Sequence, residues 1–482
     1  MAMMKAPFKR LVLLYAVAAG CWLAFAHVVV APAVEAAYRE RAHPLLNRLL
    51  AGRTRHPLAH YLDLWGAASG AALLGLGAHG LVVAAARRRA APIGPIAALA
   101  ALFLTAAALS GPRQDYAAFL EIWDATRRGV DPWWVHPRWG YPLNAYGPLF
   151  NALAPLAWVN PLAPKLLTAL AYLLFVVDFL GRVASRRAGV IALAYLFGPY
   201  FWVEIAYYGH LDVLVALACV FAVRARLGGR DLASGVLLGL GVLLKFLPVV
   251  LLPALMFEGR RPRIRVALGA AGVIVGGLAI SVAAWGASTF RPLAFAAARG
   301  PALLSIFRFL AGRYSPLRPV LDPAALARSH APILAIALLA VALVGFRRRA
   351  DASTSAVAAA LATTLAYKVG FPQYQMLLFL LLPDWAALHR RTPATDRPLG
   401  LAACAYLGWI SAFDVLYAAA GGVLTPGHPW YWLDEVVGLP TFVLGGALLV
   451  GLLSNRGARR RGLPGHRPGE APRPPAPCRK MP

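Results

Sequence analysis

The chain has 482 residues, of which 60% are hydrophobic and 14% charged, and its mean hydropathy is +0.62. Soluble domains average roughly 45–50% apolar and about 25% charged residues, so this composition excludes a soluble globular protein. It is equally far from the polar composition of a disordered chain. The net charge of +28 would point to nucleic acid in a soluble protein. Here the Arg clusters punctuate hydrophobic runs, as cytoplasmic loops do under the positive-inside rule, and no nucleic-acid partner is expected. The four cysteines, Cys21, Cys219, Cys404 and Cys478, are scattered, with neither a disulfide framework nor a zinc spacing.

Hydrophobic stretches of about 20 residues read as membrane spans. The first covers 11–30, after Lys5, Lys9 and Arg10. It lacks a small-residue cleavage site and reads as a retained span rather than a signal peptide. Two more cover 62–86 and 93–109, and a long polar-aromatic stretch, 111–160, follows. Spans resume at 166–180, 190–203 and 211–223, and a Gly/Leu-rich hairpin over 232–257 is broken by Lys245 and Pro248. After a span at 266–285 comes a second long loop, 286–329, and then spans at 332–346, 355–369, 375–388, 399–418 and 436–453. The expected fold is an all-α polytopic membrane protein of about 13–14 helices. One transmembrane domain fills 1–453, and a disordered Pro/Arg-rich tail fills 454–482.

One topological phase places most Lys and Arg in short basic loops, among them the triplets at 87–89 and 347–349 and the clusters near 182, 224–230 and 260–265. With those loops cytoplasmic, both termini are cytoplasmic, and the loops 111–160 and 286–329 face the other side. Topology then leaves Arg113, Arg127, Arg128, Arg138, Arg299, Arg308, Arg313 and Arg318 unexplained. They are candidates for lipid headgroups or phosphate.

Carboxylates are scarce, and an ionisable residue at a span edge is costly unless paired or functional. Asp115 directly follows a span. Tyr116, Phe119 and Trp123 then recur at helical spacing, which predicts an amphipathic helix lying on the membrane. Gly129 and Pro132 end it, and a Trp/Tyr cluster that includes Tyr141 and Tyr146 suits an interfacial belt or a surface that stacks on sugar. Glu204, Asp212, Asp414, Asp434 and Glu435 are further carboxylates on that face.

An acid-Tyr pair after the leading spans, an interfacial helix, the Gly-x-x-Pro-aromatic run Gly129–Trp133 and the Tyr/Pro pattern of 141–148, which ends in Tyr146-Gly147-Pro148, resemble the first extracytoplasmic loop of GT-C membrane glycosyltransferases. The nearest resemblance is to polyprenol-phosphate-mannose-dependent mannosyltransferases and the GPI mannosyltransferase I catalytic subunit. Three later motifs, in order, resemble the same family: Tyr208-Gly209-His210-Leu211-Asp212, the hairpin Gly239…Lys245…Pro248, and Pro372-Gln373-Tyr374.

The resemblance implies a GT-C-like fold in which Asp115 is the general base for an acceptor hydroxyl. Lys245 and His210 would then stand near the leaving phosphate, and Tyr116, Tyr141, Tyr146, Asp212, Gln373 and Tyr374 would contact substrate. It implies a polyprenyl-phosphate-sugar donor, a lipid-linked or glycan acceptor, lipid contact, and an active site on the extracytoplasmic face of the cell membrane. Where some relatives carry Asp-x-Asp, this chain has Arg113-Gln114-Asp115. No cofactor is therefore required; a divalent metal would need Asp124 or Asp212 as its second carboxylate. The competing class is a lipid or lipid-linked sugar transporter or flippase, which broken hydrophobic segments would suit.

Overall fold

The computed structural model describes residues 93–454 except 136–141, 143, 184–185, 259–260, 321, 349, 390–396, 421–423 and 425–430. The expected spans 11–30 and 62–86, the tail beyond 454, Tyr141 and Arg138 lie outside the described residues.

The chain folds almost wholly into helices, as an all-α polytopic membrane protein. Helix α1 (Ile93–Leu109) leads into α2 (Gln114–Arg127), and α3 (Pro148–Asn151) and α4 (Ala154–Val159) close the first loop. Next come α5 (Ala163–Arg182), α6 (Arg186–Leu196), a short turn at Pro199–Phe201 and a π-helical segment, Trp202–Tyr207. α7 (Asp212–Leu227) and α8 (Asp231–Leu244) form a hairpin. α8 stops at Lys245, whose backbone is extended; Pro248 cannot donate to a continuing helix, and the chain returns as a 3-10 turn and α9 (Leu252–Met256). α10 (Ile264–Trp285), α11 (Arg291–Ala298) and α12 (Ile306–Ala311) lead to the long α13 (Pro323–Arg348). α14 (Ala352–Ala366), α15 (Met376–Leu388), α16 (Arg397–Ala420), α17 (Trp432–Val436) and α18 (Gly438–Ser454) complete the bundle.

Among the described residues, six helical stretches are long and apolar enough to cross a membrane: 163–182, 189–207, 264–298, 328–348, 398–419 and 432–454. The other expected spans that fall within the described residues are shorter helices, and the hairpin 232–257 is a helix, a break and a second short helix. Helices of 10–17 residues cannot cover a bilayer core of about 30 Å at 1.5 Å per residue unless the membrane thins or a neighbour covers their ends. The second loop is also smaller than 286–329, because Gly286–Phe290 and α11 extend α10, and α13 begins at Pro323.

Two features hold the bundle. α8 and α10 meet on glycine: a Cβ on Gly235 would lie 2.0 Å from the Val266 carbonyl oxygen, and one on Gly269 2.5 Å from that of Leu232. Small residues permit such backbone contact between membrane helices. At the end opposite the first loop, the Arg224 guanidinium bridges Asp384 of α15 and Asp178 of α5, each at 2.5 Å. There Arg226 and Arg263 also pair with Asp231. Arg182, Arg224, Arg226 and Arg263 thus gather at one end of the helices, and Asp115, Tyr146, His210, Asp212, Lys245 and Gln373 at the other.

Candidate active site

Helix α2 carries Asp115 in its first turn. Its aromatic face does not lie on lipid, as its amphipathicity predicts. Tyr116, Phe119 and Trp123 are buried in a cluster with Tyr146, Phe150, Ala154 and Leu211, so α3 and α4 take the place expected of the membrane. Trp123 stacks on Phe150 at 5.0 Å between centroids, and Tyr146 on Phe150 at 4.8 Å. Tyr116 is therefore a core residue and not a substrate contact: its hydroxyl donates to the Pro161 carbonyl at 2.7 Å and accepts from the Lys165 amide at 3.2 Å.

Asp115 keeps 52% of its side chain exposed. Its Oδ2 lies 3.3 Å from His210 Nε2 and 3.4 Å from Gln373 Nε2, so three of the sequence motifs converge on one carboxylate. Enclosure would by itself raise the Asp115 pKa; the contact and charge of His210, with the charges of Arg299 and Lys245, outweigh it and hold it below the usual carboxylate range. His210 is buried, and its Nδ1 lies 2.5 Å from Glu204 Oε2. Burial opposes its protonation, but the Glu204 charge and the contacts with Asp115 and Glu204 push the imidazole pKa up to about 10. The central pair is thus a carboxylate facing an imidazolium.

A second group stands beside it. Asp212, at the start of α7, accepts from the Tyr146 hydroxyl at 2.6 Å and from Lys245 Nζ. Burial, then the charge and hydrogen bond of Asp212, raise the Tyr146 phenol well above its ordinary value. The Lys245 ammonium lies over the rings of Tyr374, at 4.1 Å, and Tyr146, at 5.0 Å. It is a buried, paired cation rather than one free to meet a phosphate. Tyr146 reaches this place because Gly147 docks on the hairpin: its amide donates to the Leu244 carbonyl at 2.8 Å, and a Cβ there would lie 2.4 Å from the Leu243 oxygen.

Arg299 donates to the Tyr374 hydroxyl at 3.1 Å and covers the Phe371 ring at 4.9 Å, and pairs with no carboxylate among the described residues. The other unexplained Arg residues are largely structural. Arg308 and Arg313 pair with Asp434 and Glu435, and Arg127 and Arg128 with Asp124. The second loop is tied to the last motif by a parallel pairing of β1 (Ala302–Leu303) with β2 (Val369–Gly370), just before Pro372-Gln373-Tyr374.

Lys165 was not legible as a site residue. Its Nζ donates to Ser110 Oγ at 2.6 Å, the Gly111 carbonyl at 2.9 Å and the Tyr207 carbonyl at 2.8 Å. It therefore ties the segment before Asp115 to the one before His210. Its signal was a lysine near the start of an apolar span, which demands a partner.

The residues do not fit a metal bridged by two carboxylates. Asp212 uses its two oxygens on Tyr146 and Lys245, and Asp124 pairs with Arg127 and Arg128 nine residues along α2, about 13 Å from Asp115 at 1.5 Å per residue. No group of three His, Cys, Asp or Glu suited to a metal occurs among the described residues.

The class these features define is a polytopic helical membrane protein with an acid–imidazolium pair at one end of its bundle. Residues 144–372, a little under half of the chain, match the model of glycosyltransferase family 87, and the match indicates a glycosyltransferase. The matched stretch contains Tyr146, Glu204, His210, Asp212, Lys245 and Arg299, and begins after Asp115. No curated protein and no solved structure gives a significant match to the chain.

Proposed function

We propose that the chain transfers a hexose, mannose by preference, from a polyprenyl-phosphate-linked donor to a lipid-linked or glycan acceptor. The reaction takes place at the extracytoplasmic face of the cell membrane, and both termini are cytoplasmic. The observation that carries this reading is the environment of Asp115, a half-exposed, ionised carboxylate beside an imidazolium and within the field of the Arg299 guanidinium, which pairs with no carboxylate among the described residues.

Asp115 accepts the proton of the acceptor hydroxyl, and that oxygen attacks the anomeric carbon of the sugar. The bond from that carbon to the phosphate oxygen breaks, and the electron pair leaves with the polyprenyl phosphate. Charge growing on the phosphate needs cationic donors, and Arg299, which pairs with no carboxylate among the described residues, supplies one. Lys245 lies over the rings of both Tyr146 and Tyr374 and holds them in place. The transporter reading draws no support from the family match.

The test is sugar transfer in membranes from radiolabelled polyprenyl-phosphate-mannose. Asp115→Asn should lower transfer by roughly 10²–10⁴-fold, the usual contribution of a general base. Equal transfer by the folded variant would sink the assignment of Asp115.

A further inference from the structure

Glu204 lies in the π-helical segment Trp202–Tyr207, inside an apolar span, and is buried. A carboxylate at such a place is costly unless it is partnered or functional. π-Helical turns, which are rare, occur often at functional sites. Here the turn brings two groups of one residue onto one target: the Glu204 carbonyl accepts the His210 amide at 2.9 Å, and its Oε2 meets His210 Nδ1 at 2.5 Å. Gly209, with φ +73°, makes the bend between them, and a Cβ there would strike the Lys165 side chain at 2.9 Å.

With Nδ1 held, Nε2 can only turn the other way. It is buried, forms no hydrogen bond of good geometry, and lies 3.3 Å from Asp115 Oδ2. Both contacts of Asp115, from His210 and Gln373, fall on Oδ2; Oδ1 has no partner among the described residues. We propose that Glu204 is a positioning residue of the transfer reaction, gripping His210 by ring and backbone so that its Nε2–H faces Asp115 and Oδ1 stays free for the acceptor hydroxyl. This assignment rests on the reading of Asp115 as the base.

The groups around His210 are few. α2 brings Asp115, the π-helical segment brings Glu204, and Tyr208 lies against the ring at 5.2 Å. Asp414 of α16 stands beside Glu204, and the charges of Arg299 and Lys245 act on Asp115. Of these, Glu204 alone touches Nδ1.

The experiment uses the full chain in nanodiscs with ¹⁵N-histidine. In the wild type, His210 should titrate near pH 10. Glu204→Gln should move that midpoint toward the unperturbed value of about 6.5 and pull the alkaline limb of kcat down with it, while KM for the acceptor changes little. Glu204→Asp, which keeps the charge, should restore most of the midpoint and remains informative if the Gln variant does not fold. An unmoved midpoint in Glu204→Gln, or a moved midpoint with an unmoved kcat profile, overturns the proposal. The titration needs no substrate, so a wild type that transfers from no donor defeats the functional reading separately.

Discussion

Asp115 and His210 hold each other in the charged state, which gives the protein a defined pH response. The folded pKa of His210, about 10, lies above its unfolded value of about 6.5. Its stabilising contribution is therefore complete below about pH 6.5 and is lost as pH rises toward 10. The thermal midpoint of the purified protein should fall across that window, and fall less steeply in His210→Gln. The lowered pKa of Asp115 has the opposite sense: the base form persists into acid, so transfer should stay level through mildly acidic pH. Lys245 is different again. Lys245→Met would leave Asp212 buried without its cation, a loss of about 3–5 kcal/mol that a lowered unfolding midpoint would register. Asp115, His210, Asp212 and Lys245 were legible because each sits in a short motif at a span edge. Which of them touch was not, since the partners are up to 258 residues apart, as with Gln373 and Asp115.

At the level of elements, the amphipathic pattern of α2 was read correctly as helix and incorrectly as lipid-facing. Hydrophobic spacing reports that a face is covered, but not by what, and α3 and α4 were too short to stand out in the loop. The π-helical segment was likewise invisible, because its residues share the apolar pattern of any span. The Tyr146-Gly147-Pro148 motif acquires a mechanical reason: the glycine lets the first loop sit on the end of α8, and that contact delivers Tyr146 to Asp212 and Lys245. Gly147→Ala should cost about 1–3 kcal/mol, the range for overpacking, since the obstacle is a backbone carbonyl. Reduced thermal stability together with reduced transfer would support this; an unchanged unfolding midpoint would not.

For the whole molecule, the all-α polytopic class followed from composition, but the mix of six full-length apolar helices with many short ones among the described residues did not, because hydropathy windows cannot see where a helix stops and restarts. The separation of basic loops from motif residues at opposite ends predicts sidedness. In a cysteine-free background, a cysteine at Asp322 should react with an impermeant reagent from outside intact cells, and one at Asp351 only after permeabilisation. The opposite pattern would reverse the proposed orientation. The pairing of β1 with β2 has a further consequence. The link between the second loop and the Gln373–Tyr374 segment includes main-chain bonds, from the Ala302 amide to the Lys368 carbonyl at 3.0 Å and from the Leu304 amide to that of Gly370 at 3.1 Å. Alanine scanning leaves amides intact and would pass over those bonds. Proline at 302 or 304 removes the donor, so the backbone joint between the two loops is visible to a proline scan where an alanine scan is blind.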